Sequence, residues 1–190
     1  TYLPGGIGAV AGHTLVSQRR AEPDTLVAFS GGSLLNLAQG KFGKASADDV
    51  RWVAAVGADY GMIAVPADSP YHTLGELLAA MKRAPKEVLI GVSGTIGSQD
   101  WLKMAMVARK AGIDPKQLRF VALEGGGEAF TAMQARYVHV VSGDASEATL
   151  YSAPGPGKVR VLAVLSEQRL PGVLAGVPTA REQGIDVVCP

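Results

Sequence analysis

The chain has 190 residues, with 18 Lys and Arg against 17 Asp and Glu, a net charge of +1, and a single cysteine, Cys189. Balanced charge without a basic run excludes nucleic acid as a partner class, and one cysteine excludes an intrachain disulfide or a cysteine-built metal centre. No apolar run reaches bilayer-spanning length, so no direct membrane insertion is expected, and 24 Gly with 11 Pro suit a fold rich in strand-to-helix turns.

In chain order, residues 1–12 read as a proline-glycine loop opening a small-residue helix that runs to about Arg20. Gly6-x-Gly8-x-x-Ala11 is a loose dinucleotide-type pattern, with no strand before it and no acidic residue in a clean position after it. Residues 25–29 read as a short buried strand, Ser30-Gly31-Gly32-Ser33 as a glycine-serine turn, and 34–38 as a helix. Residues 41–49 are a polar connector, and 51–56 and 61–65 are two strands with a turn at 58–60. After the joint Pro66-Ala67-Asp68-Ser69-Pro70, Thr73 caps a helix over 74–83. Glu76 stands at the third helical position, in a capping-box pattern.

Residues 88–102 organise the rest. An apolar, β-branched run stops at Gly94-Thr95-Ile96-Gly97-Ser98, and a helical pattern begins at once. Ser98 is placed as its N-cap. Gly94 and Gly97 let a guest approach the backbone closely. A helix N-terminus with open N–H groups favours an anion, of which a carboxylate is the commonest small example. That helix ends near Gly112, a C′ glycine. A strand over 118–123 runs into Glu124-Gly125-Gly126-Gly127-Glu128 and a helix over 129–136. A strand over 138–141 turns at Ser142-Gly143-Asp144 into a short helix over 146–151. Residues 154–157 form a Pro-Gly loop, 159–165 a buried strand, 178–184 a helix, and 187–188 the start of a strand. Strands alternating with helices give an α/β class with mostly parallel pairing.

No catalytic set emerges. His13, His72 and His139 lie at no metal-ligand spacing and beside no nucleophile, and His139 reads as a satisfied, buried or half-buried residue in an apolar strand. Gly91-x-Ser93-Gly94 is only a partial nucleophile elbow, and no glycine turn runs into the Lys and Ser or Thr of a phosphate loop. Acidic residues recur near the turns, at Asp100, Glu124, Glu128, Asp144 and Glu147: they either cap helices and compensate the dipole, as suits Glu128 and Glu147, or orient ligand hydroxyls or accept from an ammonium. Arg136 and Arg160 either pair with a substrate carboxylate or lie solvated near strand ends. Donors and glycine turns without acid–base machinery favour binding over catalysis. No cofactor and no metal are implied.

Three runs carry a family resemblance: Gly94-Thr95-Ile96-Gly97-Ser98-Gln99-Asp100; Leu123-Glu124-Gly125-Gly126-Gly127-Glu128-Ala129; and Leu162-Ala163-Val164 with Arg169 and Val177-Pro178-Thr179-Ala180-Arg181-Glu182-Gln183-Gly184. With Pro4-Gly5-Gly6 and the 68–74 joint, the set resembles the extracytoplasmic solute receptors of tripartite tricarboxylate transporters, the TctC-like or Bug family. The resemblance implies a two-lobed, type II periplasmic-binding-protein fold of mostly parallel sheets flanked by helices. It further implies a periplasmic location, a small di- or tricarboxylate or related organic acid as ligand, and delivery to membrane permease subunits. Family members extend further at both ends, so the first lobe is expected to be incomplete and the signal peptide to lie outside this chain. Residues 1–67 would be part of lobe 1, 68–185 lobe 2 and 186–190 a return hinge strand, with closure about 65–68 and 185–188. Two stretches depart from the family pattern, Pro23-Asp24-Thr25 and residues 134–139. Ligand donors are expected from Gly5, Gly6, Ser30, Ser33, Thr95, Ser98, Gly126 and Gly127, with Gly97 allowing close approach and Asp144 shaping one wall. Two other readings stay open: an enzyme using the same turns on a phosphorylated or nucleotide substrate, and a ligand-sensing module for a signalling partner.

Overall fold

The computed structural model describes residues 9–17, 22, 24–151 and 158–190. The opening loop with Gly5 and Gly6, the end of the first helix at 18–20 and the 154–157 loop lie outside the described residues. The chain divides into two compact units, Thr1–Val56 and Gly57–Pro190.

The first unit contains helices α1 (Ala9–Ser17) and α2 (Gly31–Ala38). Ser30 caps α2, its Oγ accepting from the Ser33 N–H at 3.1 Å. The helix therefore starts three residues before the expected 34, because the two glycines take up its first turn. Phe29 sits edge-on against Phe42 and Trp52, at centroid distances of 6.0 and 5.4 Å. The strands expected at 25–29 and 51–56 do not form. A strand needs a neighbour to take its N–H and C=O groups, and no strand exists among the described residues of this unit. Leu26 (84%) and Val53 (76%) are accordingly exposed.

The second unit is a five-stranded sheet covered on both faces. Its strands are β1 (Gly61–Pro66), β2 (Leu89–Ser93), β3 (Arg119–Leu123), β4 (Val140–Asp144) and β5 (Val159–Val164). The spatial order is β3-β2-β4-β1-β5. β2 pairs in parallel with β3 and with β4, while β1 runs antiparallel to β4 and β5. Four strands thus share one direction and β1 opposes them, which is the expected α/β class with one reversed strand. All six residues of β1 are buried. Ile63 and Val65 face one apolar cluster with helices α3 (Leu74–Arg83) and α4 (Gln99–Lys110), while Met62 and Ala64 face a second cluster with α5 (Gly126–Gln134) and α6 (Ala145–Tyr151). Burial on both faces is why β1 reads as an unbroken apolar run rather than an alternating one.

Local signals set the helix ends. In α3 the Thr73 hydroxyl accepts from the Glu76 N–H and Glu76 accepts from the Thr73 N–H, the expected capping box. Gly112 (φ 76°) follows α4 in the left-handed conformation that glycine adopts without strain. Two readings are corrected. Ser142-Gly143-Asp144 is not a turn but the end of β4, held there because β1 pairs Gly61 with Asp144 and Ile63 with Ser142. His139 is exposed and precedes β4; its Nδ1 accepts from the Leu89 N–H at 3.1 Å, so the main chain of β2 fixes its ring.

Candidate functional site

In the second unit, β2, β3 and β4 point the same way, so their carboxyl ends lie along one edge of the sheet. Each is followed by a helix after a short turn: 94–98 after β2, 124–125 after β3, and none at all between Asp144 and α6. The Gly94 N–H donates to the Leu123 carbonyl at 2.7 Å and so ties the first turn to the end of β3. Gly94 and Gly97 take φ values of 86° and 84°, a backbone that side-chain-bearing residues rarely adopt. Crevices beyond the carboxyl ends of parallel strands are the usual ligand positions in open α/β sheets.

This edge brings together six of the expected residues: Thr95, Gly97, Ser98, Gly126, Gly127 and Asp144. Thr95 is exposed. Ser98 is buried and caps α4, accepting from the Trp101 N–H while its hydroxyl donates to the Ser93 carbonyl at 2.8 Å. Its own N–H donates to the Thr95 carbonyl at 2.9 Å. Both Ser98 donors are therefore used within the turn, which leaves the N–H groups of the first helical turn as the donors this corner could offer an anion. Gly126 and Gly127 open α5, whose N-cap, Gly125, supplies no side-chain bond. Glu128 reaches back to accept from the Glu124 N–H at 2.9 Å, a capping role. Ser30 and Ser33 belong to the first unit, where the Ser30 hydroxyl also meets that of Ser33 at 3.2 Å.

Behind the edge lies a group that sequence reasoning missed. Lys103, on α4, is 1% exposed, among the largest fully buried side chains of the described residues. Its ammonium pairs with Asp100 Oδ1 at 2.9 Å and with Asp144 Oδ1, and donates to the Gly143 carbonyl at 3.4 Å. All three ammonium donors are thus engaged. The second Asp100 oxygen accepts from the Ser93 N–H at 3.2 Å, and Ser142 Oγ donates to the Asp100 carbonyl at 2.8 Å. Gly61 makes room for the Lys103 stem, since a Cβ there would stand 2.9 Å from Lys103 Cδ. The available signal was the i, i+3 spacing of Asp100 and Lys103 on a helix whose neighbours are apolar.

Burial alone would lower the Lys103 pKa, but Asp100 and Asp144 outweigh it and hold the ammonium above the usual lysine value. For Asp144 the balance goes the other way. Burial, with Asp100 and Asp59 adding to it, raises its pKa against the pull of Lys103. The contacts of Lys103 with the two carboxylates are those of an ion pair. Burial likewise raises Glu147, with Asp144 and Asp100 adding to the effect. Asp59, also unforeseen, accepts from the Ser146 N–H at 3.2 Å and from its hydroxyl, and so caps α6.

The two arginines considered as carboxylate partners lie at the opposite edge. Arg160 donates to the carbonyls of Ser69 (3.1 Å), Tyr71 (3.0 Å) and Ala67, which fixes the joint after β1. Arg136, with φ 65°, pairs with Asp68 in solvent. Cavities of about 250 and 320 Å³ flank this pair. Among the described residues, no group of three or more His, Cys, Asp or Glu is arranged to hold a metal, and no helix is long and apolar enough to cross a membrane.

A UPF0065 protein from the gbd 5′ region of Cupriavidus necator is 30% identical over 132 residues, which are 70% of this chain and 38% of that protein. A TctC solute-binding protein from Polaromonas superposes with a TM-score of 0.68 at 28% identity, over 98% of this chain and 61% of its own. MatC from Rhodopseudomonas palustris, solved with bound malate, superposes with a TM-score of 0.78 at 22% identity, over 95% of this chain and 60% of its own. The chain therefore spans less than two thirds of each of these proteins. A sequence model described as the tripartite tricarboxylate transporter family receptor, TctC, matches residues 8–190. With that match over nearly its whole length, the chain belongs to the TctC family of receptors.

Proposed function

We propose that this chain is the ligand-holding part of an extracytoplasmic receptor that captures a small organic carboxylate and passes it to the permease subunits of a tripartite transporter. The observation that carries the proposal is the edge where β2, β3 and β4 end, with glycine turns opening helices α4 and α5 toward one place. Helix N-termini there supply N–H donors to a carboxylate without any catalytic side chain. Membership of a receptor family supports a binding protein rather than an enzyme, and the malate in MatC supports a carboxylate ligand.

Within this proposal, residues 1–67 contribute to one lobe and 68–185 form the other. Thr95, Gly97, Gly126, Gly127 and Asp144 contact or shape the ligand, with Ser98 holding the turn. Ligand favours the closed form by binding it more tightly than the open one.

The test is a thermal-shift series on the purified chain with malate, succinate, aspartate, citrate and adipate, and with nucleotides and sugar phosphates as controls. A ligand that binds only the native state raises the melting temperature, by an amount that grows with its concentration. A rise with one or more carboxylates is expected. A rise with nucleotides or sugar phosphates alone overturns the proposal.

A further inference from the structure

Asp144 stands where an anion site would least tolerate a carboxylate. The parallel register pairs Val92 with Ser142, so two residues further on Asp144 is level with Gly94, at the start of the 94–98 turn. Neighbouring strands lie about 4.8 Å apart. A carboxylate held at the α4 N-terminus therefore has Asp144 within the span of a three- or four-carbon acid. The two oxygens of Asp144 are not equivalent. Oδ1 is bound to the buried Lys103 ammonium, while Oδ2 has no hydrogen-bond partner among the described residues and the side chain is 32% exposed. An ionised oxygen in that position repels a second carboxylate but accepts from a hydroxyl or an ammonium.

Lys103 makes this arrangement tenable. Asp100 and Asp59 lie close enough to Asp144 to affect its titration, and Asp144, Asp100 and Lys103 affect that of Glu147. Without Lys103, Asp100 and Asp144 would face each other with no cation between them. With it, Asp144 is pinned by one oxygen and presents the other. The pin is rigid, because all three ammonium donors are used and Gly61 leaves the Lys103 stem a fitted channel.

Resting on the carboxylate-receptor reading, we infer that Asp144 is a specificity-determining residue that selects organic acids bearing a hydrogen-bond donor beside a carboxylate, and that Lys103 is its positioning residue. The ligand class is thus narrower than small carboxylates: a 2-hydroxy or 2-amino acid is accepted, and the same acid without the donor is disfavoured.

Succinate, malate and aspartate test this with one skeleton, since they differ only in carrying hydrogen, hydroxyl or ammonium at carbon 2. Titration calorimetry on the wild-type chain is expected to rank malate or aspartate above succinate by about 10- to 100-fold, the range of a hydrogen bond to a charged group. Whichever of the two binds tighter identifies the donor as hydroxyl or ammonium. Asp144→Ala leaves Lys103 paired with Asp100 and is expected to fold. It should lose at least tenfold of that preference, mainly by weaker binding of the donor-bearing acid. Lys103→Met, checked for folding by circular dichroism, should also shrink the preference. A purely structural role would weaken all three acids by one factor and leave their ratio unchanged. Where Lys103→Met does not fold, the double variant with Asp144→Ala replaces it and should match Asp144→Ala in its ratio. Succinate binding as tightly as malate and aspartate in the wild type, or a preference that survives Asp144→Ala, overturns this inference and leaves the receptor reading standing. If all three acids fail to bind while nucleotides or sugar phosphates do, the receptor reading falls with it.

Discussion

The two edges of the second unit's sheet handle charge in opposite ways. At the carboxyl-terminal edge a lysine and an aspartate are drawn inside, with side-chain exposures of 1% for Lys103 and 8% for Asp100, and the lysine also pairs with the half-buried Asp144 at 32%. At the amino-terminal edge Arg136 and Asp68 pair in solvent, at 58% and 66%. The first arrangement has surrendered most of its hydration and depends on every partner being present. The second keeps its hydration and depends on little. A buried pair is weak grounds for net stability, yet removing one partner strands the other, whereas an exposed pair contributes little either way. The buried arrangement stands at the edge proposed to hold the ligand, where a fixed charge would have a use beyond folding.

The sharpest break of this contrast is Lys103→Met. Stranding Asp100 and Asp144 should lower the unfolding free energy by about 3–5 kcal/mol, read from urea denaturation at neutral pH. A change no larger than a surface lysine gives would mean that the edge is solvated and the contrast is false. Arg160→Met comes next. Three backbone carbonyls of the 67–71 joint lose their donor, and a loss of about 1–3 kcal/mol is expected by the same measurement. Wild-type stability after this change would show that water replaces the guanidinium.

Glu147→Gln gives a smaller effect with a pH signature. Burial raises the folded-state pKa of Glu147 above its usual 4.5. The unfolded state therefore releases this proton first as pH rises, so the favourable contribution is full below about 4.5 and is lost as pH climbs through the folded value. The variant should melt higher than wild type at pH 7, by roughly 1–4 °C, and the gap should close toward pH 4. A gap that widens in acid would reverse the assignment. Asp68→Asn should do least. Arg136 holds the Asp68 carboxyl below its ordinary value, mainly through a hydrogen bond, but the pair is open to water. A melting shift under about 2 °C is expected, and less in high salt. A large, salt-insensitive loss would place that pair on the buried side of the comparison.

Legibility differed with the range of the interaction. The Thr73 and Glu76 capping box, the Ser98 cap and the glycine after α4 rest on contacts within four residues, and each is where the local pattern puts it. The start of α5 is three residues earlier than the apolar pattern suggests, because a glycine run gives no periodic signal although it can adopt helical dihedrals. The stretches 25–29 and 51–56 carry strand-like composition but no strand, since β structure is completed by a neighbour and not by composition. Lys103 was passed over for a related reason. A lysine on a helix is nearly always solvated, and only the approach of β4 from 40 residues away shows that this one is not.

The sequence by itself determined the alternation of helix and strand from β1 to β5, the turn chemistry after β2 and β3, and the family, though not the helix at 178–184, which is one three-residue turn, nor the strand at 187–188, which does not form. All of these are written in short runs whose side chains and backbone preferences act locally. Only the tertiary structure decided that β1 runs against its neighbours, that Asp144 ends a strand rather than turning, and that it shares the buried ammonium of Lys103 with Asp100. Strand pairing and the burial of a charge are settled by residues far apart in the chain, where no local pattern fixes which partner will be met.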